Sequence, residues 1–150
     1  MSGPIPSSPV SSETKDAVKV RILSHYLGPN VHGPVAALRA RLEFGLNLTW
    51  RSDQPLHRFL EPLDALLPDL RAKLDSEHPG NSGDARVSVT GETGISIAEI
   101  VAHMVVALQR RAGYHAKFAR SIPMAKPDVF EIICEYRDFE VCRAAMRPAI

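Results

Sequence analysis

Apolar residues alternate with polar ones near the start of the chain. Val18, Val20 and Ile22 are interleaved with Lys19 and Arg21 in a run reaching Tyr26, the period of two expected of a half-buried strand. Leu27-Gly28-Pro29-Asn30 closes that run. The next segment, Pro34 to Leu48, fits two patterns. Its AALRARLEF composition suits a helix, yet Leu38, Ala40, Leu42 and Phe44 also alternate with Arg39, Arg41 and Glu43. From Pro55 the apolar positions Leu56, Phe59, Leu60, Leu63, Leu66, Leu67, Leu70 and Leu74 recur at intervals of three and four, which predicts an amphipathic helix running to about Leu74. Pro62 and Pro68 each remove an amide donor, so a kink or break is expected near Pro68.

Asp75 to Gly83 reads as a loop and Arg86 to Thr90 as a short strand. Ser96 with Glu99 three residues on is a capping box that opens a helix through Ile97, Ile100, Val101, Met104, Val105 and Leu108, ended by Gly113. A short strand is expected at His115 to Phe118. A loop holding Pro123 and Pro127 follows, then a buried strand in VFEIICEY, then a last helix opened by Asp138. The order predicts an α+β fold, a small mixed or antiparallel sheet with helices packed on one face.

Composition narrows the picture. The 150 residues suit one domain, and a hydrophobic share of 45% is enough for a core. Residues 1–16, rich in Ser and Pro, carry no apolar period and read as a disordered tail, leaving 17–150 as the domain. With 18 basic and 17 acidic side chains the net charge is +1, which offers no broad footprint for nucleic acid or an anionic membrane. Cys134 and Cys142 are too few for a disulfide framework and read as reduced, buried thiols. Neither a secretory signal nor a membrane span is expected, and the reading is a cytoplasmic protein.

Candidate chemistry centres on AEIVAHMVVALQRRAGY. In the pattern H-x-x-E-H two histidines on one helix face hold a metal and the glutamate activates water. Here those positions are Glu99, Ala102 and His103, so one keeps its group and the base position holds an alanine. Neither a catalytic nor a metal site is therefore expected, and no cofactor. Glu99 and His103, four apart, instead form a candidate substrate contact or a cap with a hydrogen-bonded histidine. Asn30 lies in a candidate substrate-contacting turn that is equally strand punctuation. Arg39 and Arg41, two apart, would share a sheet face if the segment is a strand, to clamp carboxylates or simply to be solvated. Arg110, Arg111, Tyr114, His115 and Lys117 make the densest basic and aromatic cluster, too short for nucleic acid. Trp50 and Arg51 offer a partner anchor, with core packing of Trp50 as the plainer role.

GPN after an apolar run, PVAALRARLEFG, FLEPLDALLPDL, the helix with Leu108-Gln109 and Ala112-Gly113, and VFEIICEY occur in an order that resembles the amino-terminal domain of cyanophycin synthetase and cyanophycin-synthetase-like ligases, from about Val18 onward. The resemblance favours a strand over Leu38 to Leu46. Many members carry GHxxEHxALELQ on the helix, a metal-dependent peptide-cleaving site. This chain departs from it at Glu99, Ala102 and Ala107. The family's complete enzymes are ATP-dependent acid–amino acid ligases that extend an Asp-Arg polymer through an ATP-grasp domain and a Mur-ligase-like domain. No G-x-x-x-x-G-K-[ST] loop occurs here. The expectation is a noncatalytic module for an Asp-Arg-type peptide or a partner ligase domain, with a homodimer as a further partner state. One alternative is a metal-dependent peptide hydrolase with a relocated site, His103 joined by His78, Asp75, Glu77 or Glu99. The other is a structural docking subunit of an ATP-grasp ligase system.

Overall fold

The computed structural model describes residues 20–29, 33–45, 54–77, 86–88 and 94–150. Four strands form one antiparallel sheet in the order β1-β2-β7-β6: β1 Val20–Gly28, β2 Ala37–Phe44, β6 Ala119–Pro123 and β7 Val129–Glu135. Three short strands, β3 Gln54–Pro55, β4 Arg86–Ser88 and β5 Gly94–Ser96, form a second sheet in which β4 pairs antiparallel with β3 and parallel with β5. The helices are α1 Leu56–Leu60, α2 Pro68–Glu77, α3 Ile97–Arg111 and α4 Phe139–Ala149. The α+β expectation holds.

The ambiguous segment is a strand. Leu38, Ala40, Leu42 and Phe44 of β2 are all buried in the core shared with α3, while Arg39, Arg41 and Glu43 point to the other face, as the pleat requires. β7 continues the layer. Phe130, Ile132 and Cys134 stand opposite Leu42, Ala40 and Leu38, and Phe44 meets Phe130 edge to face at 5.9 Å between ring centroids.

α3 lies on β6 and β7, with α2 and α4 against its remaining sides. This explains why nine of its residues are buried, Gln109 and His103 among them. Ser96 caps it by accepting a hydrogen bond from the Glu99 N–H at 3.1 Å. Gly113, at φ +91°, turns the chain away after Ala112, a backbone conformation that favours glycine.

Four expectations need correction. β1 is not half-buried: it is an edge strand, exposed from Arg21 to Tyr26, with a bulge between Ile22 and Ser24. The break expected near Pro68 is present, but the predicted Pro55 to Leu74 helix is already lost after Leu60 and resumes to run past Leu74. α1 ends at Leu60, a 3-10 turn holds Glu61–Leu63, and α2 starts at Pro68, where a missing amide donor costs nothing, and runs on to Glu77. Residues 115–118 are not a strand, because the Glu135 carboxylate accepts the N–H groups of Lys117 at 3.2 Å and Phe118 at 3.0 Å; the Phe118 carbonyl accepts the Glu135 N–H at 2.9 Å, and the paired register with β7 runs from Ala119. The capping box is half made, since the Glu99 carboxylate turns away from the cap. Asn30, His32, Trp50, Arg51, His78 and the 1–16 tail lie outside the described residues.

Leu42 is fully buried between β2, β7 and the helix layer. Leu42→Ala should lower unfolding stability by about 2–5 kcal/mol, read as a fall in the urea midpoint with little change in slope.

Candidate functional site

The site grows from one face of α3 and the end of α2. Glu99 and His103 lie one turn apart on α3, and the imidazole Nε2 is 3.1 Å from Glu99 Oε1. The same Nε2 is 2.8 Å from Glu77 Oε2, at the end of α2. One imidazole nitrogen therefore sits between two carboxylates, with its side chain only 1% exposed. Glu77 is also held by Lys73, one turn earlier, at 2.7 Å. Each of Glu77, Glu99 and His103 presents a ligand atom within 4.8 Å of the others, so the three together have the geometry to hold a metal ion.

The second oxygen of Glu99 is anchored in the sheet. Ser121 on β6 donates to it twice, from its N–H at 2.8 Å and its hydroxyl at 2.6 Å. Burial pushes the Glu99 carboxyl up, but the hydrogen bonds from His103 and Ser121 outweigh it and hold the group below the ordinary carboxylate value. Ser121 carried no sequence signal: it lies 22 residues from Glu99, and only the packing of β6 on α3 joins them.

A cleft of about 280 Å³ runs beside this cluster between α2 and α3, lined by His103, Lys73, Arg110, Arg111, His115 and Lys117 together with Asp69. An adjoining opening is lined by Glu77, Glu99 and Arg120, and shares Lys73 and Lys117 with the first. Basic and acidic side chains thus line two neighbouring hollows that share Lys73 and Lys117. Arg111 is partly engaged, donating to the Leu66 carbonyl at 2.9 Å.

Ala102 is fully buried against the sheet, and its carbonyl accepts from the Cys134 thiol at 3.5 Å. The place where a water-activating carboxylate is expected is therefore core packing. Burial, with Cys142 and Glu99 nearby, pushes the Cys134 thiol well up, and burial pushes Cys142 up to about 12. Both stay protonated at neutral pH and offer no thiolate for catalysis.

Arg39 and Arg41 are not part of these hollows. They share a sheet face, as expected of a strand, but it is the face turned away from α3. There Arg39 donates to Glu131 at 2.9 Å, and both line a shallow depression bounded by Tyr26 of β1.

The sequence profile described as Cyanophycin synthase-like N-terminal domain matches residues 40–150. The chain belongs to this family. Over 92 residues it is 34% identical to the cyanophycin synthetases of Trichormus variabilis and of a Nostoc species, an alignment covering 61% of the chain. The match spans only 10% of the length of either relative. In this cyanophycin synthase-like domain no helix among the described residues is long and apolar enough to cross a membrane.

Removing the Ser121 hydroxyl tests the anchoring of Glu99. Because the folded carboxyl titrates below its ordinary value of 4.5, its contribution to stability is present above that value and lost as pH falls through the folded one. Ser121→Ala should therefore destabilise by about 1.5 kcal/mol at pH 7, with the difference from the parent chain shrinking in melts recorded well below pH 4.5.

Proposed function

We propose that the chain is a noncatalytic binding module for a peptide carrying both carboxylate and guanidinium groups. An Asp-Arg polymer, the ligand class implied by the resemblance to cyanophycin-synthetase-like ligases, fits that description. One observation carries the reading: the cleft lined by Arg110, His115 and Lys117 lies beside the opening lined by the acidic pair Glu77 and Glu99, and Lys73 and Lys117 border both. A polymer of alternating charge needs donors and acceptors side by side, and carboxylates bind such cations by charge-assisted hydrogen bonds. Glu99 and His103 then act as contacts rather than as an acid and base, since Ala102 supplies no proton-moving group. A partner ligase domain presenting both charges is the same chemistry on a protein surface. Arg39 and Arg41 remain candidates for a second contact on the opposite sheet face.

Calorimetric titration with short Asp-Arg oligomers tests this. Binding should be weak and should fall as salt screens the pairs. Arg110→Ala with Lys117→Ala should weaken it about tenfold, the scale of 1.4 kcal/mol, while Arg39→Ala with Arg41→Ala should change it about twofold or less, in keeping with solvent-exposed pairs. Absence of binding at low salt would put the docking-subunit reading ahead.

A second reading, a metal-dependent peptide hydrolase with a relocated site, draws on the converging Glu77, Glu99 and His103. On the binding-module reading, dialysis against zinc followed by metal analysis should leave far less than one ion per chain. One retained zinc that is lost in His103→Ala, together with cleavage of the polymer, would put the hydrolase ahead.

A further inference from the structure

The two edges of the four-stranded sheet are built differently. β6 is five residues long, ends in Pro123 and is packed against α3. Short length, proline and a covering helix are the usual devices that keep an edge from pairing with another chain. β1 is nine residues long, and among the described residues it is flanked only by β2. It contains no proline, lysine or acid, and the charge of Arg21 is drawn sideways onto Glu43 of β2. Ile22, Leu23 and Tyr26 are 41%, 45% and 59% exposed, three of the five exposed large hydrophobic residues among those described.

We propose that β1 is a dimerisation edge, pairing antiparallel with β1 of a second copy of this chain to make one continuous eight-stranded sheet. The bulge sets the register. Val20, Ile22, His25 and Leu27 stand beside Phe44, Leu42, Ala40 and Leu38 and so share the core-side face; Arg21, Ser24 and Tyr26 stand beside Glu43, Arg41 and Arg39 and share the other. Directly opposed residues of antiparallel strands lie on one face. The register that satisfies this on both sides of the bulge places Val20, Arg21 and Ile22 opposite Leu27, Tyr26 and His25 of the second copy, about a twofold axis between Leu23 and Ser24. The edge is then self-complementary, as a closed twofold contact must be. Val20 meets Leu27, the Ile22 side chain covers the His25 ring, and the Arg21 guanidinium faces the exposed Tyr26 ring, a cation–π arrangement. No like charges meet, and every contact occurs twice. A strand from an unrelated protein has no reason to carry the same bulge in the same phase, which is why a second copy is the occupant argued for.

Sedimentation equilibrium of the 150-residue chain across a wide concentration range tests this. The expected species is a dimer. Tyr26→Lys, which faces Arg21 of the second copy with a like charge, should raise the dissociation constant about tenfold or more. Tyr26→Glu, facing the same arginine with the opposite charge, should keep dimerisation within about threefold of the parent. Circular dichroism melts establish that each variant folds. Independently, the double variant Ile22→Cys with His25→Cys should form a covalent dimer on mild oxidation, the native thiols Cys134 and Cys142 being buried. A monomer at every concentration would overturn the proposal. So would a dimer unaffected by Tyr26→Lys, one weakened equally by both Tyr26 variants, or one that fails to cross-link through positions 22 and 25.

Discussion

A helix packed on several sides must draw partners for its buried polar groups from within the protein. α3 is such a helix, set between the sheet on one side and α2 and α4 on the others. Burying its apolar side chains supplies the main driving force, but Glu99, His103 and Gln109 go inside with them and would be costly unpaired. Each finds a partner on a different element: Ser121 on β6 for Glu99, Glu77 on α2 for His103, and the Glu135 carbonyl on β7 for the Gln109 Nε2 at 3.0 Å, while the Gln109 Oε1 is buried without one. These bonds tie the helix to three neighbours in one orientation, because a rotated or shifted helix would leave a buried donor or acceptor unmet.

The same arrangement accounts for the character of the two hollows. Polar groups nearest the core, Glu99 and His103, are engaged in internal hydrogen bonds that hold them in place. Groups farther along α3 and past its end, Arg110, His115 and Lys117, face solvent across the α2–α3 gap. On the proposed binding-module reading, the acids would meet cationic groups of a charged chain and the solvent-facing bases its carboxylates, while Ala102 stays buried in the core.

Strand alternation separates these hollows from a second charged surface. On the sheet face away from α3, Glu43 joins Arg21 and Lys126, and Glu131 joins Arg39, so charges there largely neutralise one another across strands. The net charge of +1 conceals this local structure, hollows of concentrated charge on one side and mutually paired charges on the other.

What the sequence determined by itself was local. The β-branched run in VFEIICEY specified a strand, the three-and-four spacing with Ser96 specified α3, and Asp138 specified the start of α4, where its carboxylate accepts the Val141 N–H at 3.0 Å, whereas the alternation at Leu38 to Phe44 suited a helix as well and needed the family resemblance to favour a strand. The periods of two and 3.6 are properties of single elements, so they survive reading without a partner. Pro62 and Pro68 were visible, but whether proline kinks a helix or begins a new one depends on the packing around it. The tertiary structure alone decided that Glu77 and Ser121 would close on the Glu99 and His103 pair, from 22 positions away on either side of Glu99. It also decided that Arg39 and Arg41 would face away from that pair. Sequence spacing fixes which side chains share a face of one element, whereas which faces meet is set by how the sheet and helices bury their apolar surfaces together.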